Sequence, residues 1–170
     1  HRNVFGGAER LGFDAKIGGI GGQSYDPQDY NYMLGVSFTK PGVWTPDTDF
    51  ISSLIGERKV LDAYTQTSVT AEAGLTHIFS DELSGKLTAS VSKSKFEDDF
   101  FGSRDFLTVG VLGGLTYDSR DSKVDPKNGY YLEGLLSPFY EVEYGNFATK
   151  FTAEGRTYYG FGADDHFVLA

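Results

Sequence analysis

From Phe106 to Asp118 the chain alternates, residue by residue, between apolar and small or polar side chains. Leu107, Val109, Val111, Gly113, Leu115 and Tyr117 are apolar in five of six cases, against two of seven in the even row from Phe106 to Asp118. A period of two belongs to a β-strand, whose successive side chains point to opposite faces. One face of this strand must lie against something oily, and the other is small and polar.

The same rule governs most of the chain. Leu11, Phe13, Ala15 and Ile17 oppose Arg10, Gly12, Asp14 and Lys16; Tyr30, Tyr32, Leu34, Val36 and Phe38 oppose Asn31, Met33, Gly35, Ser37 and Thr39. Phe50 to Val60 is a weaker strand of undecided face, because Ile51, Leu54 and Ile55 do not share a parity. Alternation returns from Tyr64 to Phe79 and from Leu83 to Lys93, and continues from Tyr130 to about Val142 and from Phe147 to Tyr159. A last strand starts near His166. Glycine, proline and acidic residues separate the runs, as in Gly18 to Asp29, Pro41 to Asp47 and Glu97 to Gly102. The result is about nine strands of roughly 9 to 14 residues with no helix between them, against about 5 to 6 residues for globular strands. That length suits tilted membrane strands, and large soluble barrels share it.

Composition agrees with an all-β chain of one domain. Its 170 residues hold 22 Gly, 14 Phe and 11 Tyr but one Met, one Trp and no Cys, which favours strands and turns over packed helices. The absence of Cys excludes disulfides, thiolate metal sites and a cysteine nucleophile. A net charge of −9 repels nucleic acid, so none is expected as a partner. No apolar run approaches the length of a membrane-spanning helix, which leaves insertion as a barrel open. Tyr25, Tyr30, Trp44, Phe79, Phe100, Phe101, Tyr117, Tyr130, Tyr131, Phe139 and Tyr140 fall at or near predicted strand ends, where aromatic girdles sit in membrane barrels. High β-propensity alone also enriches strands in aromatics.

The stretch Tyr117-Asp118-Ser119-Arg120-Asp121-Ser122-Lys123-Val124-Asp125-Pro126-Lys127-Asn128-Gly129-Tyr130-Tyr131-Leu132 reads as a strand end, a turn stiffened by Pro126 and closed by Asn128-Gly129, and a new strand. It resembles the BamA/TamA superfamily of outer-membrane assembly factors, the bacterial surface antigen family, through Asp118, Arg120, Asp121, Asp125, Pro126 and Gly129. His1 to Leu11 resembles that family's junction between its second and third strands, Phe38 to Trp44 its next inner turn, and Asp62-Ala63-Tyr64 also fits. The likeness is closer to the TamA-like branch than to BamA itself.

The resemblance implies an antiparallel up-and-down transmembrane β-barrel of about sixteen strands, with 1–170 as a partial barrel domain from the third strand to the start of the eleventh, without the periplasmic domains. The family's Val-Arg-Gly-Phe-like loop has no counterpart here, since no Arg-Gly pair occurs. By the same resemblance, 18–29, the segment around 57–64 and loop 94–105 face outside, and 3–9, 40–49, 80–83 and 119–129 face the periplasm.

The polar row Arg10, Asp14, Lys16, Glu72, Glu133, Glu154 and Arg156 is the candidate lining of an aqueous lumen, or a seat for a plug loop. The solvated face of an ordinary sheet has the same pattern. Asp118, Asp121, Asp125 and Asn128 lack EF-hand spacing, so turn chemistry explains them better than calcium. Glu97, Asp98, Asp99 and Asp105 read as a solvated loop sooner than as a site for divalent ions that bridge lipopolysaccharide. His1, His77 and His166 are scattered and form no zinc motif, no serine has a nucleophile elbow, and Gly18 to Gly22 lacks phosphate-loop spacing.

No catalytic residue, cofactor or metal is therefore expected, and the chain is not expected to be an enzyme. The function implied by the resemblance is insertion and folding of outer-membrane β-barrel or autotransporter substrates at the bacterial outer membrane. The partners implied are the lipid bilayer, unfolded outer-membrane proteins and an inner-membrane or periplasmic accessory protein. Two rivals stand beside it: an outer-membrane channel, as a porin or two-partner-secretion transporter, and a soluble ligand-binding β-barrel of the calycin kind.

Overall fold

In the computed structural model, residues 7–19, 26–61, 63–98, 102–161 and 167–169 are described, with the side chains of Gln28 and 167–169 left aside. Nine strands follow one another in sequence: β1 Arg10–Gly18, β2 Asn31–Lys40, β3 Thr48–Val60, β4 Thr65–Ile78, β5 Leu83–Asp98, β6 Gly102–Asp118, β7 Gly129–Glu141, β8 Asn146–Phe161 and the short β9 Phe167–Leu169. They form one sheet in the order β1 to β9, every neighbour antiparallel. This is an all-β, up-and-down sheet with no crossover. A three-residue 3₁₀ turn, Pro27–Asp29, precedes β2. No helix among the described residues is long and apolar enough to cross a membrane, which says nothing of a barrel.

The register sorts the side chains into two faces. Phe13, Val36, Leu54, Ala71, Val91, Val109, Tyr140 and Phe147 lie side by side across eight strands. The next row on the opposite face is Asp14, Gly35, Ile55, Thr70, Ser92, Thr108, Glu141 and Asn146. Among the described residues no hydrophobic side chain is buried, and Phe13, Leu34, Phe147 and Phe151 are each about two-thirds exposed. A layer with an apolar face this bare has no core of its own.

The third strand resolves here: Phe50 and Leu54 sit on the apolar face, while Ile51 and Ile55 go to the polar one. The hairpin of β5 and β6 is longer than alternation alone suggests. Glu97, Asp98 and Gly102, which look like loop by composition, are paired strand, and the ladder runs from Leu83↔Tyr117 to Asp98↔Gly102. Of the predicted loop 94–105, residues 94–98 and 102–105 are strand, and 99–101, with Phe100 and Phe101, lie outside the described residues, as do Tyr25 and residues 3–6 and 20–25. The segment around 57–64 likewise stays strand to Val60, and a reciprocal bond pair between Leu61 and Tyr64 closes the hairpin.

Two local features shape the ladders. Thr88 lies against Gly74 so tightly that a Cβ there would overlap the Leu87 carbonyl. Pro138, inside β7, brings no N–H, and the ladder with β6 lapses where Val111 and Leu112 face Ser137 and Pro138.

Candidate functional site

The polar face carries two constructions, one at each end. At the end shared by the turns 41–47, 79–82 and 119–128 stands a charged and aromatic cluster grown from the turn after β6. Arg120 Nε donates to Asp118 Oδ1 at 2.7 Å and Nη2 to Oδ2 at 2.9 Å, a two-point ion pair with side chains only 11% and 15% exposed. The guanidinium lies 4.8 Å from the centroid of Tyr131, and that of Arg156 lies 5.6 Å from it. The Tyr131 hydroxyl donates to Glu133 Oε2, which also accepts from Thr116 at 3.3 Å. Glu154 pairs with Arg156. The register brings these together: Asp118↔Tyr131↔Arg156 form one row, and Thr116↔Glu133↔Glu154 the next.

The turn itself is held by its own polar side chains. Asp121 Oδ1 accepts from the Lys127 N–H at 2.9 Å, and the Asp121 N–H donates to the Asn128 carbonyl. Lys127 first, and then Asn128, hold the Asp121 carboxyl below the usual carboxylate range. The pair with Asp118 raises the already high pKa of Arg120. Ser122 Oγ accepts from the N–H groups of Val124 and Asp125, so the contact made by Asp125 is through its backbone. Asn128 Oδ1 accepts from the Gly160 N–H and ties the turn to β8. Gly129 has φ +114°, and a Cβ there would overlap the Ser119 carbonyl.

At the opposite end Phe96, Phe106 and Tyr144 continue from Tyr64 as a chain of rings, with centroids 5.6, 5.3 and 5.3 Å apart in turn. Tyr64, Phe96 and Phe106 line a recess of about 750 Å³ that also takes in Ser94, Thr108, Phe139 and Glu141. Glu141 is 8% exposed, and its carboxylate accepts from the N–H groups of Glu143 and Tyr144 at 2.9 and 2.7 Å. It closes the β7–β8 turn.

Of the residues singled out in sequence, Arg10, Asp14, Lys16, Glu72, Glu133, Glu154 and Arg156 share the polar face. Glu133, Glu154 and Arg156 meet in the turn cluster, whereas Glu72 stands apart, its carboxylate reached by the Ser53 hydroxyl at 3.4 Å. Arg10, Asp14 and Lys16 follow one another along β1. Sequence reading misses Tyr131 and Phe139 as members of this face: it groups both with the girdle aromatics, where parity would separate them from Tyr130 and Tyr140. Tyr117, Tyr130 and Tyr140 lie on the apolar face. Trp44 stands 83% exposed in its turn with φ +69°. Among the described residues no three His, Asp or Glu side chains converge on a metal position.

A single antiparallel layer, connected strand to neighbouring strand, apolar on one face and charged on the other, is the wall of a β-barrel. The family model described as the Omp85 superfamily domain matches residues 3–170, and the chain belongs to the Omp85 superfamily. That domain is associated with outer-membrane protein assembly and secretion, and its proteins are typically found in the outer membrane or related membranes. No curated protein matches the chain.

Proposed function

We propose that this chain is barrel wall from an outer-membrane assembly factor of the TamA-like branch, which helps β-barrel or autotransporter substrates enter the bilayer. Its apolar face meets lipid and its polar face, with Arg10, Asp14, Lys16, Glu72, Glu133, Glu154 and Arg156, lines the lumen. The turns beside the Asp118–Arg120 pair face the periplasm.

The observation that carries the reading is the sheet itself: an apolar face spanning eight consecutive strands with none of the described residues against it. In lipid every backbone polar group needs an internal partner, and the antiparallel ladders supply one along most of β1 to β8, apart from the lapse at Pro138. Substrate insertion then follows from edge chemistry. Where such a barrel opens at a seam, unpaired N–H and C=O groups template an incoming strand, and the new strand's alternating side chains sort themselves between lipid and lumen. The role is non-enzymatic and needs no cofactor. Unfolded outer-membrane proteins are the substrates, and an inner-membrane or periplasmic protein is the accessory partner.

The test is depletion of the full-length protein with quantitative proteomics of the outer membrane. The reading expects folded forms of a subset of barrel proteins or autotransporters to fall. Unchanged amounts and folding of every barrel protein would contradict it.

A further inference from the structure

The apolar face is not uncharged throughout. Toward the end of the sheet opposite the 119–128 turn it carries Arg58, Lys93 and Lys95, with Glu97 and Asp105 beside them. Arg58↔Thr67↔Lys95↔Asp105 form one row across β3 to β6, and Val69↔Lys93↔Leu107 the row beneath. One step further into the sheet the row is Leu54, Ala71, Val91 and Val109, wholly aliphatic. The cations thus mark the border of the apolar belt.

Lys93 is the telling residue, an exposed cation flanked on the same face by Val69 and Leu107. A lysine facing lipid keeps its charge by running its stem along the apolar surface toward the headgroups. Lys95 is bonded to Glu97 at 2.5 Å, with both side chains 47% exposed, and Arg58 and Asp105 act on that pair electrostatically. Glu97 lies beyond Lys95, away from the belt, and Asp105 lies level with it, so the Lys95 ammonium is held at the border.

We propose that Arg58, Lys93 and Lys95 form a seat for a membrane lipid whose headgroup carries two phosphates, that is, a lipid of the lipid A class. Arg58 on β3 and the two lysines on β5 are separated by one strand, so their backbones stand roughly 10 Å apart, at about 4.8 Å per strand. That spacing exceeds one phosphate and suits two at opposite ends of one disaccharide headgroup. Arg58 offers a planar fork to one phosphate, Lys93 offers a point charge to the other, which Lys95, shared with Glu97, reinforces, and Thr67 between them offers a hydroxyl. Acyl chains then lie over the aliphatic row below. The proposal rests on the barrel-wall reading.

The intact protein, folded into detergent micelles, is titrated with diphosphoryl lipid A, monophosphoryl lipid A, phosphatidylglycerol and inorganic phosphate, and bound ligand is read by native mass spectrometry. Diphosphoryl lipid A is expected to be retained at least about tenfold better than the other three, since removal of one charge-assisted hydrogen bond weakens binding by about that factor. The triple variant R58Q/K93Q/K95Q loses that preference; K40Q, at the other end of the same face, keeps it; and R58K/K93R/K95R, which preserves charge, retains most of it. Equal retention by the folded triple variant overturns the site. Equal binding of monophosphoryl lipid A or phosphatidylglycerol overturns the two-phosphate seat, and equal binding of inorganic phosphate overturns the lipid. A wild-type protein that stays monomeric in water without detergent instead sinks the barrel reading, and the seat with it.

Discussion

Gly129 shows how little freedom the turn after β6 has. Its φ of +114° is a region that side chains avoid, and a Cβ would overlap the carbonyl of Ser119 across the strand pair. Gly129→Ala should therefore destabilise the folded barrel by at least about 2 kcal/mol, read as a lower denaturant midpoint. Arg120→Lys should also lower that midpoint, because an ammonium replaces neither the two-point contact with Asp118 nor the face-on contact with Tyr131. Asp121 gives the turn an acid response. Its carboxyl is depressed in the fold, so its stabilisation is complete above the unfolded pKa and lost as pH falls through the lowered value. Protection of the Lys127 amide from hydrogen exchange should persist at neutral pH and weaken below about pH 4, whereas Asp121→Asn should remove that dependence. The turn's existence and boundaries are legible from Pro126 and Asn128-Gly129. The stacking of Arg120 and Arg156 on Tyr131 is not, because it depends on Asp118, Tyr131 and Arg156 sharing a row across three strands, a register that no local pattern states.

At the scale of the element, alternation locates the long strands and names the faces of most of them. It fails where chemistry changes along a strand without the backbone changing. β5 runs on past Lys93, where alternation ends by sequence, through Lys95 and Glu97, whose charges look like a loop, yet these residues keep the parity of Leu87 and Val91. β3 looks undecided because Ile51 and Ile55 sit on the polar face beside small and charged neighbours. The two faces predict opposite responses to the same charge. Val91→Arg, in the middle of the apolar belt, should cost about 2 to 4 kcal/mol in vesicles, while Ser90→Lys, one residue away beside Glu72, should cost about 0.5 kcal/mol or less. Urea titration of both variants in lipid compares them directly. Gly74→Ala should pry β4 from β5, since the added methyl meets the Leu87 carbonyl and Thr88, and should destabilise the fold by about 1 to 3 kcal/mol.

For the whole molecule, the decisive property is that the sheet, among the described residues, encloses no apolar core of its own. Such a sheet is stable only where something else covers one face, and the charge distribution says which. The polar row read from sequence does share one face, and Tyr117, Tyr130 and Tyr140 lie on the opposite one. The central claim is that the apolar face meets lipid and the polar face meets water. These 170 residues hold no cysteine, so a single one placed among them, with any cysteine elsewhere in the full-length protein replaced, carries the label at one known position. The direct measurement is a spin-label scan along adjacent positions, Val36 and Ser37, Leu54 and Ser53, Val91 and Ser90, Val109 and Thr108, in the full-length protein reconstituted in vesicles. Collision with lipid-soluble oxygen should be high at the first member of each pair, and collision with a water-soluble relaxant high at the second. Equal access of the water-soluble relaxant to both members would contradict the account.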